Sequence, residues 1–195
     1  MTSTGSVKTY LAGLKRLDLL INNAGLRRDA LLATQILNDR NLVLDVCLRG
    51  AFLCSREAAQ LMTRQGFGHI VNIGSHSALT GPRGQTAYAA AKAGLTALTK
   101  SIAAELGSKG IRANCVLPGW LETSFTAGVP ENVRRAALAA QTLERFNTTR
   151  DTAAFIVFLN RLTAVSGQVF HLDSRLSQGG LEGQASQAVP AGPAQ

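Results

Sequence analysis

Three residues in the middle of the chain carry the side chains needed to give a proton to a carbonyl oxygen. Ser75 is followed thirteen residues later by Tyr88, and Lys92 lies four residues beyond it. Residues four apart share one face of an α-helix, so the phenol and the ammonium are expected to lie side by side. An ammonium stabilises a phenolate, which predicts a lowered pKa for Tyr88 and a proton donor usable near neutral pH. The Ser75 hydroxyl could hydrogen-bond the same oxygen.

This interpretation depends on the surrounding pattern, because an isolated tyrosine–lysine pair at this spacing usually lies on a surface helix. Strands are predicted at LDLLINN, HIVNIG, IRANCVLPG and GQVFHLD, and helices near residues 4–15, 38–65 (one helix or two), 86–106, 131–140 and 150–162. Apolar strands that alternate with helices predict an α/β fold with a parallel sheet covered on both faces.

Ligands of such sheets bind beyond the carboxyl ends of the strands. Four segments are predicted to lie there, and three of them are unusually polar or rich in glycine: 22–25, 74–77, 118–123 and Asp173. The Ser75 hydroxyl falls in one of these segments. The sequence therefore places the candidate chemistry at the edge of the sheet where ligands are expected.

Composition narrows the classes of function. A chain of 195 residues suits one domain, and its net charge of +8 is dispersed, which favours attraction of anionic cofactors or acidic carriers over nucleic-acid binding. The three cysteines share no C-x-x-C spacing and are expected to be buried thiols, and the three histidines lack ligand spacing, so no metal site is predicted. Without an apolar run of membrane-spanning length or a signal-peptide pattern, a cytoplasmic protein is predicted.

Four motifs in order resemble the short-chain dehydrogenase/reductase family, and most closely its 3-oxoacyl carrier-protein reductases and related carbonyl reductases. They are DLLINNAG, NIGS, YAAAK and VLPGWLET, and the resemblance covers about residues 5–175. It implies a Rossmann-type fold that transfers hydride between NAD or NADP, with NADP slightly favoured, and a carbonyl or alcohol substrate, possibly a 3-oxoacyl thioester. It also implies a homo-oligomer.

The same resemblance assigns roles to individual residues. Tyr88 would be the acid/base, Ser75 would position the substrate oxygen, and Lys92 would bind the nicotinamide ribose. The residues implied to contact the cofactor are Asn22, Ala24, Gly25, Tyr88, Lys92, Pro118, Gly119 and Thr123. From the residues alone, the Asn22 amide could equally satisfy strand-end backbone, and the Pro-Gly pair could equally be a simple turn.

Two departures from the family pattern bear on activity. Cys47 stands where members of the family usually carry an asparagine that keeps a local helix irregularity and a proton-relay water near the lysine; a thiol is a weaker hydrogen-bonding group. The family's glycine-rich turn for the cofactor pyrophosphate also has no counterpart, since TSTGSVK follows no predicted strand. NAD and NADP cannot be told apart, because the selecting residue belongs to the same region.

These departures predict a partial, N-terminally truncated Rossmann domain over residues 1–176, followed by a disordered tail over residues 177–195 that is rich in Gly, Gln, Ala and Pro. An apolar strand at DLLINN would then be exposed along one edge. Two functions remain open. The chain is either a reductase or a non-catalytic subunit, a pseudoenzyme that pairs with a full-length partner.

Overall fold

The chain is described over residues 4–176 by a computed structural model. Its strands are β1 (Leu19–Asn22), β2 (Gly68–Ile73), β3 (Ile111–Leu117) and β4 (Val169–His171). Its helices are α1 (Thr4–Ala12), α2 (Leu37–Leu44), α3 (Gly50–Gln65), α4 (Ser77–Thr80), α5 (Thr86–Leu106), α6 (Glu131–Ala139) and α7 (Thr149–Arg161), with a π-helical turn, Asp45–Arg49, between α2 and α3. The predicted tail over residues 177–195 lies outside the described residues.

The four strands form one parallel sheet in the order β1-β2-β3-β4. Leu20 pairs with Ile70, and Val71 pairs with Asn114. Because every neighbouring pair is parallel, the carboxyl ends of all four strands lie along the same edge. The predicted fold class is confirmed.

Helices cover both faces of the sheet, as the continuous apolar strands require. On one face, Ile70 packs with Ala58 and Met62 of α3. On the other face, Val71 packs with Ile156 of α7. Neighbouring residues of β2 therefore point into two separate cores, which explains why this strand shows no alternation of polar and apolar residues.

Three helical segments differ from the sequence prediction. The first helix ends at Ala12, earlier than predicted, and residue 13 is a glycine. The predicted 38–65 helix is a continuous helical segment interrupted by the wide turn Asp45–Arg49. The single turn of α4 is too short to leave a periodic apolar pattern, so it was not predicted.

Within the described residues, β1 forms one edge of the sheet, and its Ile21 side chain is 43% exposed. A largely apolar cavity of about 520 Å³ lies beside it, lined by residues of α1, β1 and α3 that include Val7, Leu20 and Ala51. The predicted exposure of this edge is confirmed for the part of the chain that the structure describes. Over that same part, no helix is both long and apolar enough to cross a membrane.

A buried histidine links the two central strands to α7. The His69 ring nitrogen Nδ1 lies 3.0 Å from Asn160 Oδ1, and Nε2 lies 3.0 Å from Asn114 Nδ2. The amide of Asn114 can only donate to Nε2, so the proton of the neutral ring is on Nδ1. Burial, with the nearby Arg112 guanidinium, lowers the pKa of His69 to about 4.

Stability is therefore expected to fall as the pH falls from about 6.5 to about 4. In that window the unfolded chain binds a proton at His69 that the folded chain excludes, so the proton favours unfolding. The loss reaches about 3 kcal/mol in the free energy of unfolding. Urea unfolding of the wild type and of His69→Gln at a series of pH values measures it, because glutamine donates and accepts without titrating.

The matched control is His171→Gln, since His171 is exposed on β4. The wild type and this control should lose stability in parallel, and His69→Gln should lose about 3 kcal/mol less over the window. Parallel curves for all three proteins would contradict the assignment of the neutral ring.

Candidate active site

Ser75, Tyr88 and Lys92 line one cavity of about 580 Å³ at the carboxyl edge of the sheet. Ser75 follows β2, and the other two residues lie on α5, which packs against β2 and β3. Five of the residues implied to contact the cofactor line the same cavity: Ala24, Gly25, Pro118, Gly119 and Thr123. The topology thus brings together segments that are separated by up to a hundred residues in the sequence.

The Tyr88 side chain is 9% exposed. Burial raises its pKa to about 12, and the polar Ser75 side chain acts in the opposite direction. The prediction of a lowered pKa is therefore wrong for this structure. Desolvation of the phenolate outweighs every favourable contact, and the Lys92 ammonium is directed elsewhere.

Lys92 is 3% exposed, and its ammonium donates a hydrogen bond to the Ile73 carbonyl oxygen at 2.7 Å. The Nζ atom lies 5.7 Å from the centroid of the Tyr88 ring. Burial lowers the pKa of Lys92 because the charged form is poorly solvated. A lysine is seldom buried to this extent, so Lys92 is a candidate for a functional role.

Asn22 does not line this cavity. Its amide donates to Ser55 Oγ at 2.9 Å and to Asn72 Oδ1 at 2.8 Å, and Asn72 in turn donates to Thr99 Oγ1 at 2.8 Å. The amide is therefore committed to a buried network that joins β1 and β2 to α3 and α5. The amide thus bonds to side chains, whereas the sequence offered strand-end backbone as the alternative partner, and the implied contact of Asn22 with a cofactor stays a prediction.

Cys47 lies within the wide turn Asp45–Arg49 and is 1% exposed. Its thiol donates to the Leu26 carbonyl oxygen at 3.3 Å, and its sulfur accepts from the Leu26 amide at 3.4 Å. The thiol thus connects the helix irregularity to the loop that lines the cavity. Cys47 is buried, as expected of a core residue. Its two hydrogen bonds are long, as expected of a thiol. Of the other cysteines, Cys115 is buried as predicted, whereas Cys54 is only half-buried.

Replacing Cys47 with alanine is expected to loosen this loop. The Leu26 amide loses its acceptor, so its hydrogen exchange should become at least about tenfold faster, and the free energy of unfolding should fall by about 1–2 kcal/mol. Hydrogen exchange followed by NMR measures the first effect. Cys47→Ser should restore part of the protection, and Cys54→Ala should leave it unchanged; equal exchange rates in all variants would contradict the role of the thiol.

The Pro-Gly segment after β3 is held in place from several sides. Gly119 has φ +80°, and a Cβ at this position would lie 2.6 Å from Asp173 Cβ. Asn147 Nδ2 donates to the Pro118 carbonyl oxygen at 2.9 Å. The Thr123 amide donates to Thr126 Oγ1 at 3.1 Å. Only glycine fits this turn, so the segment is a fixed wall of the cavity as well as a turn.

Sequence reasoning missed an aromatic and cationic part of the lining. Phe125 lies with its ring centroid 5.9 Å from that of Tyr88, and the Arg27 guanidinium carbon lies 5.3 Å above the Phe125 ring. Trp120 also lines the cavity, and its ring stacks on Phe146 with 5.4 Å between the centroids. Single aromatic residues in loops leave no periodic signal, so only the fold reveals them.

Comparisons with known proteins give the family of the chain. A family model described as enoyl-(acyl carrier protein) reductase matches residues 3–176. The 3-oxoacyl-[acyl-carrier-protein] reductase FabG of Thermotoga maritima is 41% identical over 163 residues, which cover 83% of this chain and 66% of that protein. Nodulation protein G of Rhizobium sp. is 36% identical over 168 residues, which cover 85% of this chain and 69% of that protein.

A solved structure is also similar. A candidate NAD(P)-dependent gluconate 5-dehydrogenase from Beutenbergia cavernae, with NADP bound at low occupancy, superposes with a TM-score of 0.82 at 31% identity and covers 88% of this chain and 70% of that one. The chain spans about two thirds of the length of the curated relatives that it matches. Together these matches show that the chain belongs to the short-chain dehydrogenase/reductase family.

Proposed function

We propose that the chain catalyses hydride transfer between a nicotinamide cofactor and a carbonyl or alcohol substrate, with Tyr88 as the acid/base. The observation that carries the proposal is the meeting of a hydroxyl, a phenol and a buried amine, those of Ser75, Tyr88 and Lys92, in one cavity. The related proteins named as 3-oxoacyl carrier-protein reductases make a 3-oxoacyl thioester the first substrate class to test.

The residues present fit the nicotinamide end of such a cofactor. A Cβ on Gly25 would lie 3.7 Å from Lys92 Nζ, so the glycine leaves open the space next to the ammonium. Lys92 would hold the ribose there, and the Pro118–Gly119 wall would lie against the ring. When bound, the cofactor supplies or accepts the hydride. NAD and NADP are both compatible, with NADP slightly favoured by the family.

Tyr88 is in the correct state to protonate a carbonyl oxygen at neutral pH. With a pKa of about 12 the phenol keeps its proton, and it gives that proton up only when an oxygen anion develops beside it. The Ser75 hydroxyl orients that oxygen by hydrogen bonding. Lys92, whose ammonium donates to the Ile73 carbonyl oxygen, would contribute to this step by holding the cofactor ribose.

The direct experiment is a fluorescence titration of the full chain with NADPH and with NADH, followed by an assay of ketone reduction with a 3-oxoacyl thioester. Saturable binding in the micromolar range together with cofactor-dependent reduction of the thioester supports the proposal. Saturable binding without turnover of any ketone would leave a binding protein, and the absence of both would remove the reductase.

The non-catalytic subunit is the second candidate, and the exposed edge of β1 favours it. An apolar edge strand beside a cavity of about 520 Å³ is a surface that a partner's strand could cover. The titration and the assay together separate the candidates. Micromolar saturation of the isolated chain by NAD(P)H with turnover of the thioester contradicts a pseudoenzyme, whereas saturation without turnover supports one.

Three further expectations stay predictions. Residues 1–176 are predicted to act as one partial Rossmann domain, and the chain is predicted to form a homo-oligomer. A cytoplasmic location is predicted because the three cysteines of the chain are free thiols.

A further inference from the structure

The charged side chains that line the candidate active site are basic. Among the described residues, the charged ones that line its cavity are Arg27 and Lys92, and no carboxylate lines it. Lys92 directs its ammonium to the Ile73 carbonyl oxygen. Because Lys92 is assigned to the cofactor ribose, Arg27 is the charged side chain of this lining that is left for a substrate group.

The Arg27 guanidinium is held at a defined distance from the phenol. It stacks on Phe125, with 5.3 Å between the guanidinium carbon and the ring centroid, and the Phe125 ring lies 5.9 Å from the Tyr88 ring. A cation over an aromatic face is favoured electrostatically and has little freedom to swing away. One aromatic ring thus separates the guanidinium from the candidate acid.

The nearest carboxylate leaves the guanidinium donors available. Asp29 Oδ2 lies 3.7 Å from Arg27 Nη1, which is longer than a hydrogen bond, and the Asp29 side chain is 42% exposed. Gln85 Nε2 also donates to that carboxylate at 3.3 Å. A partly exposed pair at this distance contributes little, whereas a carboxylate or phosphate of a ligand can take two parallel hydrogen bonds from the guanidinium.

We propose that Arg27 binds an anionic group of the carbonyl substrate, so that the chain acts on ketones bearing a carboxylate or phosphate in preference to neutral ketones. The inference rests on the proposed reductase function and adds the substrate class. The anionic group would contact Arg27 while the ketone oxygen meets Ser75 and Tyr88.

The test compares a 3-oxo acid with its ethyl ester in the wild type, Arg27→Gln and Arg28→Gln. Arg28 is a matched control, because its guanidinium faces Asp39 at 3.7 Å and does not line the cavity. The kcat/KM of Arg27→Gln should fall about 10- to 100-fold for the acid and stay within about twofold for the ester. The Kd of NADPH should not change.

Two results overturn the proposal in this assay. Equal losses for acid and ester would mean that Arg27 supports the cavity in general. A weaker Kd for NADPH with no difference between the substrates would assign the cation to the phosphates of the cofactor.

A binding experiment tests the role of Arg27 independently of whether the chain reduces ketones. Trp120 is the one tryptophan of the chain and lines the cavity, so its fluorescence reports occupancy. The acid and the ester are titrated with and without saturating NADP+. Binding of the acid that is at least tenfold weaker in Arg27→Gln supports the proposal even if no ketone is reduced. Equal affinity, or no binding of the acid under either condition, overturns it.

Discussion

Tyr88→Phe is expected to lower kcat for ketone reduction by about a thousandfold, the range that a positioned general acid contributes. The phenyl ring keeps the packing against Phe125, so KM and the Kd of NADPH should stay within about threefold of the wild type. A steady-state assay of NADPH consumption and a fluorescence titration measure the two effects separately. A fall in kcat with unchanged binding is the signature of a group used only in the transition state.

Tyr10→Phe provides the control, because the only other tyrosine of the chain is 74% exposed on α1. It should leave both parameters unchanged. If Tyr88→Phe retained more than a tenth of the wild-type kcat, the acid would have to be a different group. Ser75 or a water bound in the cavity would then be the candidate proton donor.

Lys92→Met is expected to lower activity strongly and to stabilise the fold. Burial holds the pKa of Lys92 below its usual value, which means that the folded chain bears a desolvation penalty for the ammonium. Methionine fills nearly the same space without charge, and removing a buried charge of this kind outweighs the single hydrogen bond to Ile73 that is lost. The midpoint of thermal unfolding should rise by at least about 2 °C, and kcat/KM should fall at least about a hundredfold.

Calorimetry and the reduction assay on the same protein samples check this pair of opposite effects. Lys100→Met is the matched control, since Lys100 lies on the same helix and is exposed. It should change neither quantity by much. A lower unfolding midpoint for Lys92→Met would contradict this expectation. It would mean that the hydrogen bond to the Ile73 carbonyl oxygen stabilises the fold by more than burial of the ammonium destabilises it.

The order of strands and helices could be predicted because each strand is a short apolar run bounded by polar or glycine residues. The strand ends were therefore placed correctly, and with them the cavity that joins Ser75 to Tyr88. Because the strands are parallel, their carboxyl ends lie at one edge of the sheet. Local sequence is sufficient for this level of the structure.

The electrostatics of the site could not be predicted in the same way. The direction of the Tyr88 pKa shift depends on how deeply the ring is buried and on where the Lys92 ammonium points, and neither follows from a spacing of four residues. The position of Arg27 over Phe125 depends on two loops a hundred residues apart. Such contacts are set by packing between elements, which single-sequence patterns do not carry.

Deleting one residue from the long helical segment would have different effects inside and outside the wide turn Asp45–Arg49. Val43, Cys47 and Ala51, which lie before, within and after the turn, are all buried and four residues apart, a wider spacing than the 3.6 residues of a regular turn. Deleting one residue inside the turn would convert it to regular α-helix and leave both halves facing the core. Deleting one residue within α3 would instead rotate everything after it by about 100°, turning Met62 away from the sheet.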